Sequence, residues 1–370
     1  MASTDTFLVP EAAHDELVAA AYRCRGFHPD EVEAMVRLCR EAARHGIRTH
    51  NVIKALHLDD LFGTPHGGCV PGAVVERRSG RFPASEAWVA HRKPGPAVAY
   101  AAIDTCIDLA GRYGVGMVSV DEAWHYLWGG AYVLEAARWG YIGFTQCTAL
   151  LAEVVPYGGR RPTLGTNPHS WAFPTNDILG FPILVDFATS AIAMGRVQQF
   201  EREGKPLPPG TAVDNSGRET LDPSKASALL PFGGHKGFGL GLINELFGGI
   251  IGGFLPTLRG RFADGGDAKR TAAFFFLAIH PEALSATSNP AGLGWSANLR
   301  RILDDILAGN EGTILPGALE ARAAERCARL GGLVFTAAEL DSLDAIARAA
   351  GRSPWDRARL KRVAEPDRAS

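Results

Sequence analysis

Apolar positions in the first fifty residues recur at helical spacing. Between Glu11 and Arg25 they fall at Leu17, Val18, Ala21 and Tyr22, one face of a 3.6-residue repeat. Pro29-Asp30 opens a second predicted helix with Asp30 as its N-cap and Val32, Met35, Val36, Cys39 and Ala43 as its inner stripe. Gly46 is placed to end it in the left-handed conformation. From Thr64 to Arg92 the pattern breaks into Gly/Pro-rich sequence with two strand-like pieces, Ala73-Val-Val-Glu76 and Ala87-Trp-Val-Ala90. Helix and strand signals then alternate: helices over 97–113 and 130–138, strands over 115–120, 142–146 and 183–186. A long helix is expected from Ala188 to Glu203, a Gly-laced apolar helix from Phe238 to Ile251, and a buried strand from Ala272 to Ile279. Three more helices follow, over 296–307, 319–329 and 337–349, and the charged tail from Asp356 to Ser370 is expected to fray. Such alternation predicts α/β layering.

Composition narrows the class. The chain has 370 residues, 46% hydrophobic and 21% charged, with a net charge of -2. That balance offers no bulk attraction for nucleic acid or anionic membranes. No apolar run reaches the ~18–20 residues that span a bilayer, and the first residues lack the pattern of a secretion signal. Six cysteines, at 24, 39, 69, 106, 147 and 327, form no Cys-x-x-Cys pair, so free thiols in a reducing cytoplasm are expected. No metal site is expected: His45 and His50 lack the spacing of a helical zinc pair, and Gly46 interrupts the helix between them.

Two of the eleven histidines stand out by position. His45 ends the second predicted helix, where the helix dipole favours imidazolium and suits a proton donor. It is equally placed as an ordinary charge-complementing residue at a helix C-terminus. His125 follows the predicted strand over 115–120 and precedes a helix, the kind of loop in which α/β sites gather. The nearby helix N-terminus would keep it neutral. The alternative is a histidine packed among Trp124, Tyr126 and Trp128. No Gly-x-Gly-x-x-Gly follows a predicted strand and no phosphate-binding Gly-x4-Gly-Lys-Ser/Thr is present, so motif chemistry alone indicates no nucleotide. Cys147 has no base near it in sequence and reads as a buried thiol.

The densest punctuation lies between Val154 and Asp222. It runs through Pro156-Tyr-Gly-Gly159, Thr166-Asn-Pro-His169, Pro182-Ile-Leu-Val-Asp-Phe-Ala-Thr-Ser190, Glu203-Gly-Lys-Pro206 and Thr220-Leu-Asp-Pro223. Ordered Gly, Pro and Asn fix backbone turns in a set sequence. This stretch resembles the type 2 malate/L-lactate dehydrogenases, NAD(P)-dependent reductases of 2-oxo acids and cyclic imino acids. The resemblance runs from about residue 11 to about residue 350.

The resemblance implies a non-Rossmann α/β fold with a helical accompanying domain. Residues 1–92 join the C-terminal helices over 296–355 on the substrate side, residues 93–295 bind the cofactor, and 356–370 form a flexible tail. It makes His45 the proton donor and His125 a second catalytic residue. The family's Ser-His-Gly reads Arg44-His45-Gly46 here, and Thr49 stands where the family has an arginine. Arg44, Arg48, Thr49 and Trp124 are therefore the substrate-side candidates, with Arg160 and Arg161 as further cations for a carboxylate. The tryptophans at 124 and 128 suggest an aromatic-walled pocket that would suit a bulkier or cyclic substrate, such as an imino acid.

The cofactor, NADH or NADPH, is expected at three segments and at Thr148. The first is Asp186, Phe187, Ala188, Thr189 and Ser190, at a predicted helix start whose N–H groups would hold a pyrophosphate. The second is His235, Lys236 and Gly237. The third is Pro316, Gly317 and Glu320, where the family's acid is displaced by two positions. Two imidazoles of opposed bias suit separate acid and orienting roles. The resemblance also implies a homodimer. The competing expectation is a family member that kept the scaffold as a ligand-binding or specialised-pathway protein.

Overall fold

The computed structural model describes residues 6–79, 81–252, 271–285 and 292–364. The chain opens with β1 (Thr6–Val9), α1 (Glu11–Arg23), α2 (Pro29–Arg44), α3 (Val52–Phe62), β2 (Glu76–Ser79), β3 (Ser85–Val89), α4 (Gly95–Tyr113) and β4 (Val115–Ala123). Its middle holds α5 (Gly129–Arg138), β5 (Ile142–Cys147), β6 (His169–Phe173), α6 (Asn176–Leu179), β7 (Ile183–Phe187), α7 (Met194–Arg202), β8 (Ala212–Val213), β9 (Ala228–Leu229) and α8 (His235–Ile251). It closes with β10 (Ala272–Ile279), α9 (Pro281–Leu284), α10 (Trp295–Leu307), α11 (Ala318–Leu330), β11 (Leu333–Thr336), α12 (Ala337–Ala349) and β12 (Lys361–Val363). These segregate into two compact units, Met1–Gly72 with Ile314–Ser370, and Ala73–Thr313.

In the first unit β1 is the central strand of a three-stranded antiparallel sheet, between β11 and β12. Helix α2 begins two residues earlier than the sequence suggests. Pro29 takes the first helical position, where its missing N–H costs nothing, and His28 rather than Asp30 is the N-cap. Glu31 reaches back to accept from the His28 N–H at 2.9 Å. The buried stripe of α2 is Val32, Met35, Leu38, Cys39 and Ala42, and Gly46 follows at φ 72°. Helix α12 starts with a capping box, in which Glu339 accepts from the Thr336 N–H at 2.8 Å and the Thr336 hydroxyl accepts from the Glu339 N–H at 3.2 Å.

The second unit is built on a seven-stranded sheet of order β2-β3-β4-β10-β5-β6-β7, in which only the β3–β4 pair is parallel. A dinucleotide fingerprint belongs to parallel βαβ units, so an antiparallel sheet has no place for one. Directly opposed residues share a face of a pleated sheet. One face carries Phe274 and Phe276, packed against Tyr126 and Tyr132 beside α5, with Phe274 4.8 Å from Tyr126 and Phe276 6.0 Å from Tyr132 between ring centroids. The other carries Phe275, Gln146, His169 and Phe187 in a row across β10, β5, β6 and β7. Helix α8 lies on that second face, its Phe247 ring 5.0 Å from Phe275.

Three expectations need correction. The unit boundaries fall at 72/73 and 313/314, not at 92/93 and 295/296, because β2 and β3 pair into the large sheet and α10 clusters with it, Arg300 donating to the Asp177 carbonyl at 2.9 Å. The tail does not simply fray: Lys361–Val363 pair with β1. The long helix expected from Ala188 begins only at Met194. Among the described residues no helix is long and apolar enough to cross a membrane.

Candidate active site

The second helix delivers His45 as its C-cap, with backbone φ -84° and ψ 7° and a side chain 12% exposed. Its Nδ1 lies 2.8 Å from the carbonyl oxygen of Glu41, one turn back. A carbonyl can only accept, so Nδ1 carries a hydrogen in both charge states of the ring. Nε2 is then the atom that gains or loses a proton. The Glu41 carboxylate lies 3.8 Å from the same Nδ1 and is buried.

Arg44 is not the substrate-facing cation that its position suggested. Its Nε and Nη2 grip Glu11 at 2.8 and 2.5 Å, and Nη1 reaches Glu41 at 3.2 Å. Both partners are spaced to meet it, Glu41 one turn back on α2 and Glu11 at the start of the antiparallel α1. The Glu11 bond pushes the guanidinium above its ordinary range. Arg48 is 46% exposed and pairs with Glu339 of the α12 capping box. Thr49 is exposed, its hydroxyl 3.0 Å from His50 Nδ1. Gly317, at φ 91°, is the N-cap of α11, Pro316 is exposed beside it, and Glu320 occupies the first turn, where an acid complements the helix dipole in any protein.

In the second unit the loop between β4 and α5 is tightly fixed. Its Leu127 N–H donates to His125 Nδ1 at 2.8 Å, which makes Nδ1 the acceptor and leaves the ring hydrogen on Nε2. Leu127 sits at φ 67°, an uncommon conformation for a branched residue. The Tyr132 hydroxyl holds the Tyr126 carbonyl at 2.5 Å. Gly95 lets α4 approach: a Cβ there would lie 2.3 Å from the carbonyl oxygens of Trp124 and His125. Trp124 and Trp128 are themselves 6% and 2% exposed, so they pack into this unit and offer little face for an aromatic pocket wall. Trp128 Nε1 donates to Asp186 at 3.0 Å, and Asp186 also accepts from Ser170 at 2.5 Å.

The pyrophosphate cradle expected at residues 186–190 is not formed. The Thr189 N–H donates to the Thr166 carbonyl at 2.8 Å and the Ala191 N–H to the Leu230 carbonyl at 2.7 Å, while Ser190 bridges to Pro231. These groups are consumed by strand-like pairing, so the helix that would have exposed them starts later. Phe187 stacks on His169 with centroids 5.8 Å apart, and Ala188 follows it, half-buried. Thr148 accepts from the Ala273 N–H at 2.9 Å, joining the end of β5 to β10.

The loop before α8 packs closely against neighbouring backbone. Gly233 and Gly234 take positive φ, and a Cβ on Gly237 would lie 2.4 Å from the Phe232 carbonyl oxygen and 2.7 Å from that of Thr189. His235 and Lys236 are exposed at its tip, and Lys236 makes no ion pair among the described residues. Arg160 and Arg161 are also exposed.

Of the residues under α8, sequence reasoning named Ser190 but not Gln146 or Asn244. Gln146 is 2% exposed, and neither its Nε2 nor its Oε1 has a hydrogen-bond partner among the described residues. Asn244, 1% exposed, donates to the carbonyls of Cys147 at 2.9 Å and Pro168 at 3.2 Å, while its Oδ1 is unmatched. Ser190 Oγ is buried and unmatched as well. Each such orphan costs about 1–3 kcal/mol unless a ligand or water meets it. His169 lies beside them, its pKa lowered by burial. Asn244 and Glu245, two polar residues in the apolar run from Phe238 to Ile251, were the available signal. No cluster of three or more metal-ligating side chains occurs among the described residues.

Similarity to known proteins agrees with this architecture. The sequence profile of the malate/L-lactate dehydrogenase family matches residues 9–344. The Δ1-pyrroline-2-carboxylate reductase 2 of Burkholderia multivorans is 34% identical over 215 residues, 57% of this chain and 60% of that protein. The malate/(S)-sulfolactate dehydrogenase of Methanothermus fervidus is 37% identical over 159 residues, 42% of this chain and 46% of that protein. The crystal structure of Δ1-piperideine-2-carboxylate reductase from Pseudomonas syringae superposes with a TM-score of 0.79 at 28% identity, covering 92% of this chain and 99% of the other. With the fold and the family profile agreeing over nearly the whole length, the chain belongs to the malate/L-lactate dehydrogenase family.

Proposed function

We propose that the protein is an NAD(P)H-dependent oxidoreductase that reduces the C=O of a 2-oxo acid or the C=N of a cyclic imino acid, with His45 as the proton donor. The observation that carries this reading is the bond from His45 Nδ1 to the Glu41 carbonyl, which dedicates Nε2 to proton exchange. A side chain so held contributes about 10²–10⁴-fold to a reaction through acid catalysis. Two matched relatives are named for reduction of pyrroline-2-carboxylate and oxidation of malate or sulfolactate, which brackets the substrate class.

A nicotinamide coenzyme fits the second unit on its own chemistry. Gln146, Asn244 and Ser190 offer buried, unmatched amide and hydroxyl groups, and the glycine loop with Lys236 offers close backbone approach and a cation. A reduced nicotinamide, when bound, supplies a hydride. His125, locked with its hydrogen on Nε2, is suited to orient a carbonyl or imine by donating to it. Arg48, with Thr49 beside it, is the cation we assign to the substrate carboxylate; Glu339 holds it until that carboxylate takes over. The outward apolar row of α8, including Leu246 at 58% and Ile250 at 87% exposure, supports association with a second copy. The buried thiols support a reducing, cytoplasmic setting.

The deciding experiment compares wild type with His45→Asn on a panel of 2-oxo acids and cyclic imino acids, with NADH and with NADPH. Turnover should fall by about 10²–10⁴-fold, while coenzyme affinity, read by fluorescence titration, stays unchanged. Full activity in the variant would reject the assignment. Coenzyme binding without turnover in the wild type would favour a scaffold that has become a binding protein. The ion pairing of Arg44 removes one argument for that alternative, because the replaced serine position is satisfied within the helix pair.

A further inference from the structure

Glu41, Arg44 and His45 form a connected group at the end of α2. Glu41 is 5% exposed, a carboxylate taken almost entirely out of water. It sits one turn before His45 and touches the ring twice, through its carbonyl at 2.8 Å and its carboxylate at 3.8 Å from the same Nδ1. Arg44 binds the opposite oxygen of that carboxylate at 3.2 Å and is itself anchored by Glu11.

We propose that Glu41 is the positioning residue of His45: its carbonyl sets the ring's orientation and tautomer, its buried carboxylate stabilises the imidazolium, and Arg44 holds that carboxylate in place. The inference rests on the reading of His45 as proton donor, and adds how the proton is kept on the ring.

A carboxylate at about 4 Å from an imidazole favours the charged ring, and more strongly where water is scarce. An unpartnered buried carboxylate would instead take up a proton, so it needs a cation. Arg44 supplies one, on the side away from the ring. The other groups packed around this corner do not displace the pair. Glu11 on α1 is engaged by Arg44 and lies 3.9 Å from Arg40. Arg40 pairs with Asp15 at 2.5 Å. Cys327 on α11, near Arg326, Arg44 and Glu11, has its thiol pushed up by burial and stays neutral. The β11 segment facing α2 carries no ionisable side chain. Arg44 therefore serves the histidine through Glu41, and the serine-to-arginine departure becomes part of the acid rather than part of the substrate pocket.

The test is the His45 titration, followed by NMR of the histidine ring in the full chain, its resonance identified by absence in His45→Asn. Glu41→Gln keeps the shape and the Arg44 contact but removes the charge. It should move the midpoint down by about one pH unit. Glu41→Asp, which withdraws the charge by one methylene, should move it the same way by less, and serves if the glutamine variant fails to fold. A midpoint unchanged in a folded Glu41 variant overturns the proposal. Where wild type turns substrate over, the high-pH limb of kcat should shift down in parallel, because the ring must be protonated to donate, while the KM for coenzyme stays constant. Absence of turnover in the wild type would count against the reductase reading and leave the NMR midpoint to decide this one.

Discussion

The end of α2 and the face beneath α8 solve opposite problems. Around His45 the side chains are charged, and they pair: Arg44 with Glu11 and Glu41, Arg40 with Asp15, Arg48 with Glu339. Under α8 the polar groups are mostly amides and hydroxyls, with the Gln146 amide and the Ser190 hydroxyl unmatched, and the one carboxylate among them, Glu245, is met by Asn167 and the Gly165 N–H. A region that must hold a proton needs charges fixed against each other, since a loose ion would set its own protonation. A region that must accept a neutral ring or amide needs unspent hydrogen-bonding capacity instead, because only groups not already satisfied gain by meeting a ligand. The contrast also explains the composition of α8. It turns Gly237, Gly241, Asn244, Glu245 and Gly248 inward and leaves Leu246 and Ile250 outside, the reverse of an ordinary surface helix.

The strongest way to break this picture is a pair of substitutions two residues apart on α8. Gly237→Ala would drive a Cβ to within 2.4 Å of a backbone oxygen that cannot move aside. We expect a loss of about 3 kcal/mol with weakened coenzyme binding. Gly239→Ala meets nothing within 4 Å and lies in the same helix. It should stabilise by about 0.5–1 kcal/mol, since alanine restricts the unfolded chain more than glycine does. Denaturant midpoints of the two variants decide the matter. Equal effects would mean that the glycine face is not a packing surface.

The sequence carries this contrast unevenly, and the reasons are physical. Local signals were legible: the helix over 337–349 was readable to the residue, and the structure shows a capping box at Thr336 and Glu339 starting it, while Gly46 marked the end of α2. Signals that depend on distant partners were not. Strand β1 pairs with residues more than 300 positions away, so nothing in its own four residues announced a central strand. Residues 188–193 carry a helical pattern, yet tertiary hydrogen bonds to Thr166 and Leu230 keep them out of the helix. Asp30 is a better capping residue than His28 by type, but Pro29 fixed the register. At the candidate site, His45 and the glycine loop carry local signals, a helix end and clustered glycines. Gln146 carries none, since an orphaned amide is a property of its surroundings.

Arg48 tests the charged side of the comparison at moderate cost. Its guanidinium is half exposed and its partner Glu339 has a second role in the α12 capping box. Arg48→Ala should barely change stability, by about 0–1 kcal/mol, because Glu339 keeps its helix contacts. Steady-state kinetics should show KM for a carboxylate substrate raised by about 10–100-fold with kcat nearly kept, the loss of one charge-assisted bond made equally in ground and transition states. A fall in kcat with KM unchanged would mean that Arg48 shapes the acid instead of binding substrate.

His169 offers the smallest effect and the finest probe of the neutral region. Burial lowers its pKa, and its Nε2 lies 3.4 Å from the Leu240 carbonyl on α8. Because its folded value lies below that of the unfolded chain, about 6.5, the unfolded state binds more protons across the interval between them. Stability must then rise with pH through that interval and fall on acidification below about 6.5. In His169→Gln the ring is replaced by a neutral amide of similar reach, so that part of the acid sensitivity should disappear. Measuring denaturant midpoints of both proteins from pH 8 to pH 5 isolates the effect, since every carboxylate contributes equally to the two curves. If the curves run parallel, His169 is not held neutral by burial under α8.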